Sequence, residues 1–388
     1  MVIRDRRVRQ TGLAVGLLFL IAGCGSTAES TATATQTHHS RPTPTATSAL
    51  TATRPTSATT IPARPRPNLA RALSQMIVAS FHGPSPSTAF LSRIRRGQIG
   101  GVILFGDNVA GGVQATRRLT ALLQSAAREG GNPPLLIMTD QEGGPVKRLP
   151  GPPALAPASM TSPAVAMAQG KATGRLLRSA GVNLDLAPVA DVERSPNFLG
   201  ARSFGSSPGI VGIRACAFAQ GLASQHVAYT LKHFPGLGLA AGNTDLGSVA
   251  ISAPAPALRV GYRAYRLCGR GPLALVMISS ASYPGLGTSL PAVMSPAIYR
   301  RELRLAVRGA SPVTISDDLQ SPAIESRDAP ARHAIEAGLD LLLYAQSEQA
   351  SAQAYAKLLS EVRSGAFSTA HLTAAKRLIE ALKSHVGH

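Results

Sequence analysis

Three apolar segments of the sequence end in side chains that carry charge or transfer protons. They are residues 135–139 before Asp140, residues 227–231 before Lys232 and His233, and residues 312–316 before Asp317. Polar groups that follow buried strands in parallel α/β folds gather at the carboxyl end of the sheet, where such folds carry out chemistry. The pattern therefore predicts an enzyme whose pocket is lined by carboxylates and a lysine–histidine pair.

The elements that position these side chains alternate between strand and helix patterns from about Leu69 onward. The strand candidates are residues 75–81, 100–105, 135–140, 182–188, 227–233, 274–280, 313–317 and 339–344. The helical patterns include residues 113–129, 165–180, 210–225, 296–304 and 331–337, with a closing helix in 368–386. This alternation predicts a single (β/α)₈ TIM-type barrel over residues 67–388. The alternative, a doubly wound open sheet, would carry a glycine-rich phosphate fingerprint after its first strand, and the sequence has none there.

The first residues of the chain are typical of an export signal. Four arginines within residues 4–9 precede an apolar stretch, residues 13–21, that is too short to span a membrane comfortably. Small residues then lead into Cys24, which resembles the processing site of bacterial lipoproteins. We expect residues 1–23 to be a lipoprotein signal peptide and Cys24 to carry the lipid that anchors the exported protein to the outer face of the cell membrane. An ordinary signal peptide with an incidental cysteine is the alternative.

Residues 24–66 contain threonine, alanine, serine and proline with almost no large apolar side chain. Such a composition cannot bury enough surface to offset the entropy of ordering, so it predicts a disordered tether. Two further cysteines, Cys216 and Cys268, lie in or near helical patterns. Export permits a disulfide between them, but their spacing does not decide between a disulfide and two buried thiols.

The formal net charge of the chain is +19. Nucleic-acid binding would require a basic patch with aromatic stacking platforms, whereas the sequence has no tryptophan and no dense lysine or arginine block after residue 67. We therefore expect no nucleic-acid partner. A basic surface that faces a polyanionic cell envelope agrees better with the charge, and a general compositional bias toward arginine and alanine is the simpler alternative.

Six stretches together resemble glycoside hydrolase family 3, in particular its single-domain bacterial β-N-acetylhexosaminidases. In chain order they are residues 100–105, 140–144 with Val146 and Arg148, 181–192, 202–205, 232–236 and 316–319. They follow the family's order and cover about residues 70–350. The resemblance implies a (β/α)₈ catalytic barrel and a retaining mechanism, in which a carboxylate nucleophile lies about 5 Å from an acid/base group. It implies no metal and no organic cofactor.

By this resemblance, Asp317 is the nucleophile and the pair Lys232 and His233 binds sugar hydroxyls. We also expect Lys232 to keep the Asp317 carboxylate ionised. The alternative for Asp317 is that it caps the following turn, a task for which Asp318 is the better candidate. A histidine after a strand can likewise be structural.

The resemblance further implies that Asp140 binds hydroxyls of the sugar on the non-reducing side and that Arg202 contacts the substrate. Arg148 is a third candidate for substrate binding. The structural alternatives are a capping role for Asp140, a salt bridge from Arg202 to Asp191, and a solvated or ion-paired Arg148. Glu142 is expected to brace the loop.

One departure from the family's pattern concerns the acid/base. In the hexosaminidase branch the loop after the lysine–histidine strand reads Gly-His-Gly and then carries an Asp-Ser-His element. Here the turn is Gly236-Leu237-Gly238, and the matching element is Asn243-Thr244-Asp245. The family's Asp–His pair therefore cannot be transferred to this chain. Either Asp245 is itself the acid/base, which restores two carboxylates, or the site binds sugar and turns it over poorly.

Two classes of function follow from these residues. The first is a retaining exo-β-glycosidase, a β-N-acetylhexosaminidase that acts on cell-wall amino sugars such as peptidoglycan fragments. A β-glucosidase or β-xylosidase preference stays open, because the altered loop is the part that contacts the leaving group. The second class is a lipid-anchored carbohydrate-binding protein on a degenerate glycosidase barrel, since a fold does not guarantee an activity.

Overall fold

The computed structural model describes residues 68–194, 198–366 and 368–386. The predicted signal peptide, Cys24 and the tether of residues 24–66 lie outside the described residues. In the described part, one sheet contains eight short parallel strands. They are β1 Ile77–Ala79, β2 Gly101–Ile103, β3 Leu136–Thr139, β4 Leu184–Asp185, β5 Ala228–Phe234, β6 Ala274–Ile278, β7 Val313–Ser316 and β8 Leu342–Leu343.

The sheet closes into a barrel. The strands pair in the spatial order β7-β6-β5-β4-β3-β2-β1-β8, and every pairing between them is parallel. A parallel bridge between Ile315 and Leu341 joins the two ends of this order. Each predicted strand segment overlaps one of these strands, and seven of the eight contain theirs entirely. The predicted (β/α)₈ barrel is therefore confirmed, and the open sheet is wrong.

Helices follow or precede the barrel strands along the described chain. They are α1 Leu69–Met76, α2 Thr88–Arg95, α3 Gly106–Val109, α4 Gly112–Glu129, α5 Pro163–Ser179, α6 Pro208–Ala223, α7 Ala255–Arg259, α8 Arg263–Cys268, α9 Arg304–Ala306, α10 Pro322–Glu325, α11 Pro330–Ala337, α12 Glu348–Ser364 and α13 Ala370–His385. None of these helices is long and apolar enough to cross a membrane.

Local sequence explains where several helices begin. Helix α5 starts with proline at its first position, where the missing N–H costs nothing, and the Ser162 side chain accepts a hydrogen bond from Val165 N. The predicted helix over residues 296–304 is only partly correct. A π-helical turn, Ile298–Leu303, occupies most of that segment before α9.

The core is continuous from the barrel interior to the surrounding helices. All residues of the eight strands are buried, which agrees with the apolar runs expected for a parallel sheet covered on both faces. Two antiparallel hairpins, Gln141–Gly143 with Val146–Lys147 and Ser282–Tyr283 with Thr288–Pro291, follow β3 and β6. Both hairpins therefore stand at the carboxyl end of the barrel.

A disulfide joins Cys216 in α6 to Cys268 at the end of α8, with 5.7 Å between the two Cα atoms. This settles the alternative that the spacing of the cysteines left open. The disulfide ties together the two helices that flank β5. At the other end of the strand, Phe234 packs on the rings of Tyr262 and Tyr265, at 5.1 and 5.0 Å between centroids. The end of β5 is thereby held firmly from outside the barrel.

Candidate active site

A cavity of about 330 Å³ opens at the carboxyl end of the barrel. The loops and strand ends that form it supply every predicted site residue that lies in the described chain. Those residues are Asp140, Arg148, Arg202, Lys232, His233, Asp245 and Asp317. A barrel carries out its chemistry at this end because several strands deliver their last side chains to one place. The structure thus brings together seven residues that are up to 177 positions apart in the sequence.

Lys232 is the centre of a buried charge cluster. Its Nζ lies 2.8 Å from Asp140 Oδ1 and 2.7 Å from Glu142 Oε1. Glu142 also receives two hydrogen bonds from the Arg202 guanidinium, at 2.8 and 2.9 Å. The suggested alternative of a salt bridge from Arg202 to Asp191 is therefore wrong. Glu142 holds two basic side chains of the cavity in place and does more than brace its own loop.

Opposite charges keep this cluster ionised. Burial by itself would raise the pKa of Asp140 and of Glu142, but Lys232 with the neighbouring arginines holds both pKa values below their ordinary range. Burial opposes the charge of Lys232 too, and the two carboxylates nevertheless raise its pKa. At neutral pH the cavity wall therefore carries fixed donors from Lys232 and Arg202 and a fixed acceptor, Asp140. Such groups suit the hydroxyls of a sugar.

The hairpin after β3 places Asp140 and Glu142 toward the cluster. Between them, the buried Gln141 accepts hydrogen bonds at Oε1 from Arg148 N and Leu149 N and donates to two carbonyl oxygens across the loop. The backbone N–H of Gln141 donates a hydrogen bond to Asp185 Oδ1 at the end of β4. Burial raises the pKa of Asp185 to about 8, so its carboxyl is mainly neutral at pH 7. Gln141 was not among the predicted site residues.

Arg148 lies on the same wall of the cavity. Its Nη2 is 3.6 Å from Asp140 Oδ2, and its guanidinium sits 5.5 Å from the centre of the Phe105 ring. Stacking on an aromatic face and a carboxylate neighbour hold a guanidinium in a defined plane. Arg148 is thus an ion-paired residue that also faces the cavity.

His233 is oriented by Asp191, a residue that was not predicted to be part of the site. Asp191 Oδ2 lies 2.7 Å from His233 Nδ1, and the same carboxylate accepts hydrogen bonds from the backbone amides of His233 and Leu237. Both Asp191 and His233 are buried. The hydrogen bond places the proton on Nδ1, so Nε2 is the ring nitrogen left for a ligand. The sequence signal was present, since Asp191 lies within the stretch 181–192.

Adjacent residues in a strand normally point to opposite faces, yet Lys232 and His233 both line the cavity. The pairing of β5 with β6 shifts register between Leu231 and Phe234. This irregularity interrupts the alternation where the strand leaves the barrel.

Asp317 follows β7 directly and is half-buried at the floor of the cavity. Its Oδ1 accepts a hydrogen bond from Asp318 N at 3.0 Å. Burial raises the pKa of Asp317. The nearby His233 lowers this pKa, and Lys232 lowers it to a smaller extent, whereas the charge of Asp245 raises it further. The expectation for Lys232 is therefore correct in direction, but His233 contributes more and Lys232 is engaged mainly by Asp140 and Glu142.

Asp318 performs the capping task that was expected of it. Its carboxylate accepts hydrogen bonds from the backbone amides of Gln320 and Ala345, both at 3.1 Å, and from the side-chain amide of Gln346 at 2.6 Å. These bonds connect the end of β7 to the loop after β8. Asp318 leaves the neighbouring Asp317 free of the same duty.

Asp245 lies on the exposed loop after β5 and lines the same cavity. The turn is stabilised by Asn243, whose Oδ1 accepts a hydrogen bond from Asp245 N at 3.0 Å. Within the described chain, the Asp245 carboxylate itself has no hydrogen-bond partner. The side chain that satisfies a backbone amide here is therefore Asn243, and Asp245 is the member of the pair that faces Asp317 electrostatically.

In the described residues, no group of three or more histidine, cysteine, aspartate or glutamate side chains could hold a metal ion. The cavity instead combines two carboxylates whose charges interact, Asp317 and Asp245, with a cationic wall and a carboxylate–histidine pair. A glycosidic bond is cleaved by arrangements of this kind.

Comparison with known proteins identifies the family. The model of the glycosyl hydrolase family 3 N-terminal domain matches residues 69–382. The chain belongs to glycosyl hydrolase family 3. The resemblance stated from the six sequence stretches is thus confirmed.

Three family members illustrate the similarity. An uncharacterized secreted glycosyl hydrolase of Arthroderma benhamiae is 30% identical over 82% of this chain and 94% of its own length. The β-hexosaminidase LpqI of Mycobacterium tuberculosis is 31% identical over 72% of this chain and 74% of its own. The crystal structure of a β-N-acetylhexosaminidase from Beutenbergia cavernae superposes with a TM-score of 0.73 at 30% identity, covering 81% of this chain and 98% of that one.

Proposed function

We propose that this family 3 member is a retaining exo-β-N-acetylhexosaminidase that acts on cell-wall amino sugars, with peptidoglycan fragments as substrates. One observation carries the proposal: Asp317, Asp245 and the cluster around Lys232 line a single cavity at the carboxyl end of the barrel. The relatives that are named β-hexosaminidases support the choice of sugar.

In the proposed first step, the Asp317 carboxylate attacks the anomeric carbon while the bond from that carbon to the leaving oxygen breaks. Asp245 donates a proton to the leaving oxygen. A covalent glycosyl-enzyme forms. In the second step Asp245, now ionised, takes a proton from water, and the resulting hydroxyl displaces Asp317 from the anomeric carbon. No cofactor takes part.

The remaining predicted residues bind the sugar. Lys232 and Arg202 donate to hydroxyl oxygens, Asp140 accepts from hydroxyl groups, and Arg148 contributes a further donor at the rim. His233 presents Nε2 as an acceptor or, when protonated, as a donor. Because the acids of the cluster are already paired, they require no reorganisation when substrate arrives, which favours binding of the transition state.

Export and lipid anchoring belong to the same proposal. The arginines, apolar stretch and small residues that precede Cys24 support a lipid-modified amino terminus after cleavage. An enzyme held on the outer face of the membrane would meet cell-wall fragments where they are released.

The test is a panel of aryl β-glycosides and chitooligosaccharides, with the full chain and an Asp317→Asn variant as the matched control. We expect the N-acetylglucosaminide to be cleaved with the highest kcat/KM and the product to keep the β configuration at early times. Highest turnover of a glucoside or xyloside would replace the proposed substrate. Binding of muropeptides without cleavage of any substrate would favour the carbohydrate-binding alternative and overturn the hydrolase.

A further inference from the structure

The end of the barrel opposite the cavity carries a marked excess of positive charge. The final turns of the helices and the connections into the next barrel strand lie at this amino-terminal end. Helix α13 crosses the same end, from His371 beside Leu339 to Lys383 beside Gly100. The exposed charged residues of these segments are Arg95, Arg96, Arg128, Glu129, Arg178, Arg270, Arg304, Arg308, Glu336, Arg363 and Arg377. Nine arginines thus stand against two glutamates, and Glu129 is already paired with Arg95 at 2.7 Å.

Helix electrostatics explains only part of this charge. Arg95, Arg128 and Arg178 lie in the last turns of α2, α4 and α5, where a cation stabilises the helix. Arg270 and Arg308 lie beyond the last residue of the preceding helix and its cap. Neither has a hydrogen-bond or ion-pair partner for its side chain in the described chain. No stabilising contact within the barrel accounts for these two charges.

A groove of about 540 Å³ with a partly basic lining opens in this face. It lies between α4 and α5, beside the starts of β3 and β4, and is lined by Arg117, Arg128 and Arg178. Its other polar walls are occupied, since Gln124 bonds both backbone groups of Leu135. Arg178 donates one hydrogen bond from Nη1 to Gln225 O, at 3.2 Å, whereas Arg117 and Arg128 have no side-chain partner in the described chain. Guanidinium groups of this kind match phosphate oxygens in geometry and charge.

The chain enters the barrel at the same face. Helix α1 leads directly into β1, and Arg71 Nη2 in its first turn donates a hydrogen bond at 3.3 Å to Gly131 O in the connection from α4 to β3. The backbone of Gln75 in α1 packs against Gly100 at the start of β2. The 43 residues between Cys24 and Asn68 therefore join the arginine-rich end rather than the end with the cavity.

We infer that the amino-terminal end of the barrel docks on an anionic phospholipid bilayer, with the cavity facing away from the membrane. Each basic residue near such a surface strengthens binding by roughly fivefold, within a Debye length. A lipid on Cys24 would keep the domain close to the bilayer, and the arginines would orient it. The inference is independent of the proposed hydrolytic activity and uses the proposed export only to bring the protein to a membrane.

Vesicle binding by the full chain tests the inference. All proteins carry Cys24→Ser, so that no acyl chain contributes to vesicle binding. The residues before Asn68 are otherwise identical, so their contribution to vesicle binding is the same in every variant. The test variant is Arg128→Gln/Arg270→Gln/Arg308→Gln. The matched control removes three exposed arginines without side-chain partners in the described chain from elsewhere on the domain, and it is Arg118→Gln/Arg194→Gln/Arg327→Gln.

With phosphatidylglycerol-containing vesicles at low salt, we expect the test variant to bind on the order of a hundredfold more weakly than the parent. The control variant should stay within about threefold, and phosphatidylcholine vesicles or 0.5 M salt should abolish the difference. Equal losses in both triple variants would reduce the effect to net charge and overturn the inference. Vesicle binding by the test variant at the parental level would also overturn the inference. This holds even if that variant has lost binding to a soluble anionic polymer.

Orientation is measured with a single fluorophore, because the chain has no tryptophan. One variant carries Ser179→Trp at the arginine-rich end, and the other carries Leu246→Trp beside the cavity, where the native leucine is 83% exposed. We expect energy transfer to dansyl-labelled lipid from the first tryptophan and little from the second. Stronger transfer from the second would reverse the orientation and refute the inference.

Discussion

The two ends of this barrel are built from the same strands and helices but differ in almost every other respect. At the carboxyl end, charges are buried, opposite in sign and paired at 2.7–2.8 Å, as in the contacts of Lys232 with Asp140 and Glu142. At the amino-terminal end, arginines are exposed, and Arg270 and Arg308 have no partner in the described chain. Paired buried charges have fixed positions and suit chemistry, whereas exposed like charges suit association with a surface.

Connection length is one origin of this difference. The segments after β3 and β5 run to the starts of α5 and α7 over residues 140–162 and 235–254, long enough to hold a hairpin or a catalytic loop. The return from α6 to β5 takes only residues 224–227. Short returns leave no room for a catalytic loop, and the carbonyl groups at helix ends favour arginine there.

The largest expected effect is that of Asp317→Asn at the carboxyl end. Loss of the nucleophile removes the covalent step, so kcat should fall by at least about 10⁴-fold. Steady-state kinetics on an aryl N-acetylglucosaminide measures this. The matched change at the other end, Arg308→Gln, should leave kcat within twofold of the parent. A comparable loss from Arg308→Gln would mean that the two ends are not functionally separate.

Asp245→Ala should have the next largest effect. General acid/base catalysis contributes on the order of 10²–10⁴-fold, so a chitooligosaccharide with its poor leaving group should suffer that loss. Aryl glycosides with acidic leaving groups need little protonation and should lose less, and azide should partly restore their second step. The control is Asn243→Ala, which removes the turn bond but keeps the carboxylate. If Asp245→Ala stays within a few-fold on the oligosaccharide, the proton donor must be another group.

Asp191→Asn should reduce kcat/KM by about 10- to 100-fold, the range for a lost charge-assisted hydrogen bond. Asp191 is a positioning residue, because it acts through His233 Nδ1. A double-mutant cycle separates this role from a general structural one. Added to His233→Ala, the Asp191 change should cost little further activity. Fully additive losses, or a matching collapse of Tm in Asp191→Asn alone, would show that Asp191 only supports the fold.

The smallest expected effect is on the pH profile. Asp317 must be ionised to attack, so kcat/KM falls as the pH drops through its pKa. Because burial and Asp245 raise that pKa, the acidic limb should lie above the range of an ordinary aspartate. On an activated aryl substrate, Asp245→Asn removes a neighbouring negative charge and should move this limb to lower pH by up to about one unit.

The control for that shift is Asp328→Asn, an exposed carboxylate that does not line the cavity. It should leave the limb in place. An equal shift of the acidic limb in both variants would indicate that the pKa of Asp317 responds to the total charge of the carboxyl end and not to Asp245 in particular. A shift to higher pH in Asp245→Asn would contradict the proposed coupling with Asp317.

The barrel was predictable because each of its strands has a recognisable local sequence pattern. Runs such as residues 313–317 are apolar and β-branched and end in charged residues, so each of the eight predicted segments overlaps a barrel strand. Local pattern was insufficient at Ile298–Leu303, where a π-helical turn has the same periodic character as the expected α-helix. The two hairpins were missed since strands of two to four residues are too short to show alternation.

The residue types that line the cavity followed from the sequence, because strand ends and family motifs mark them one by one. The pairings among them did not. Glu142 meets Lys232 and Arg202, and Asp191 meets His233, across 42 to 90 positions of the chain. Contacts at that separation depend on how the strands close into a barrel.

The sequence by itself determined the strand order along the chain, the family, and the seven side chains that face the cavity. Only the tertiary structure decided that Cys216 bonds Cys268, that Asn243 and not Asp245 holds the turn, and that arginines from separate connections share one face. Propensity and motifs act over a few residues, whereas the disulfide and the shared arginine face join residues that meet only when the barrel closes and the helices pack around it. The turn bond of Asn243 is local, but either side chain could have made it, and the fold of the loop decides which one does.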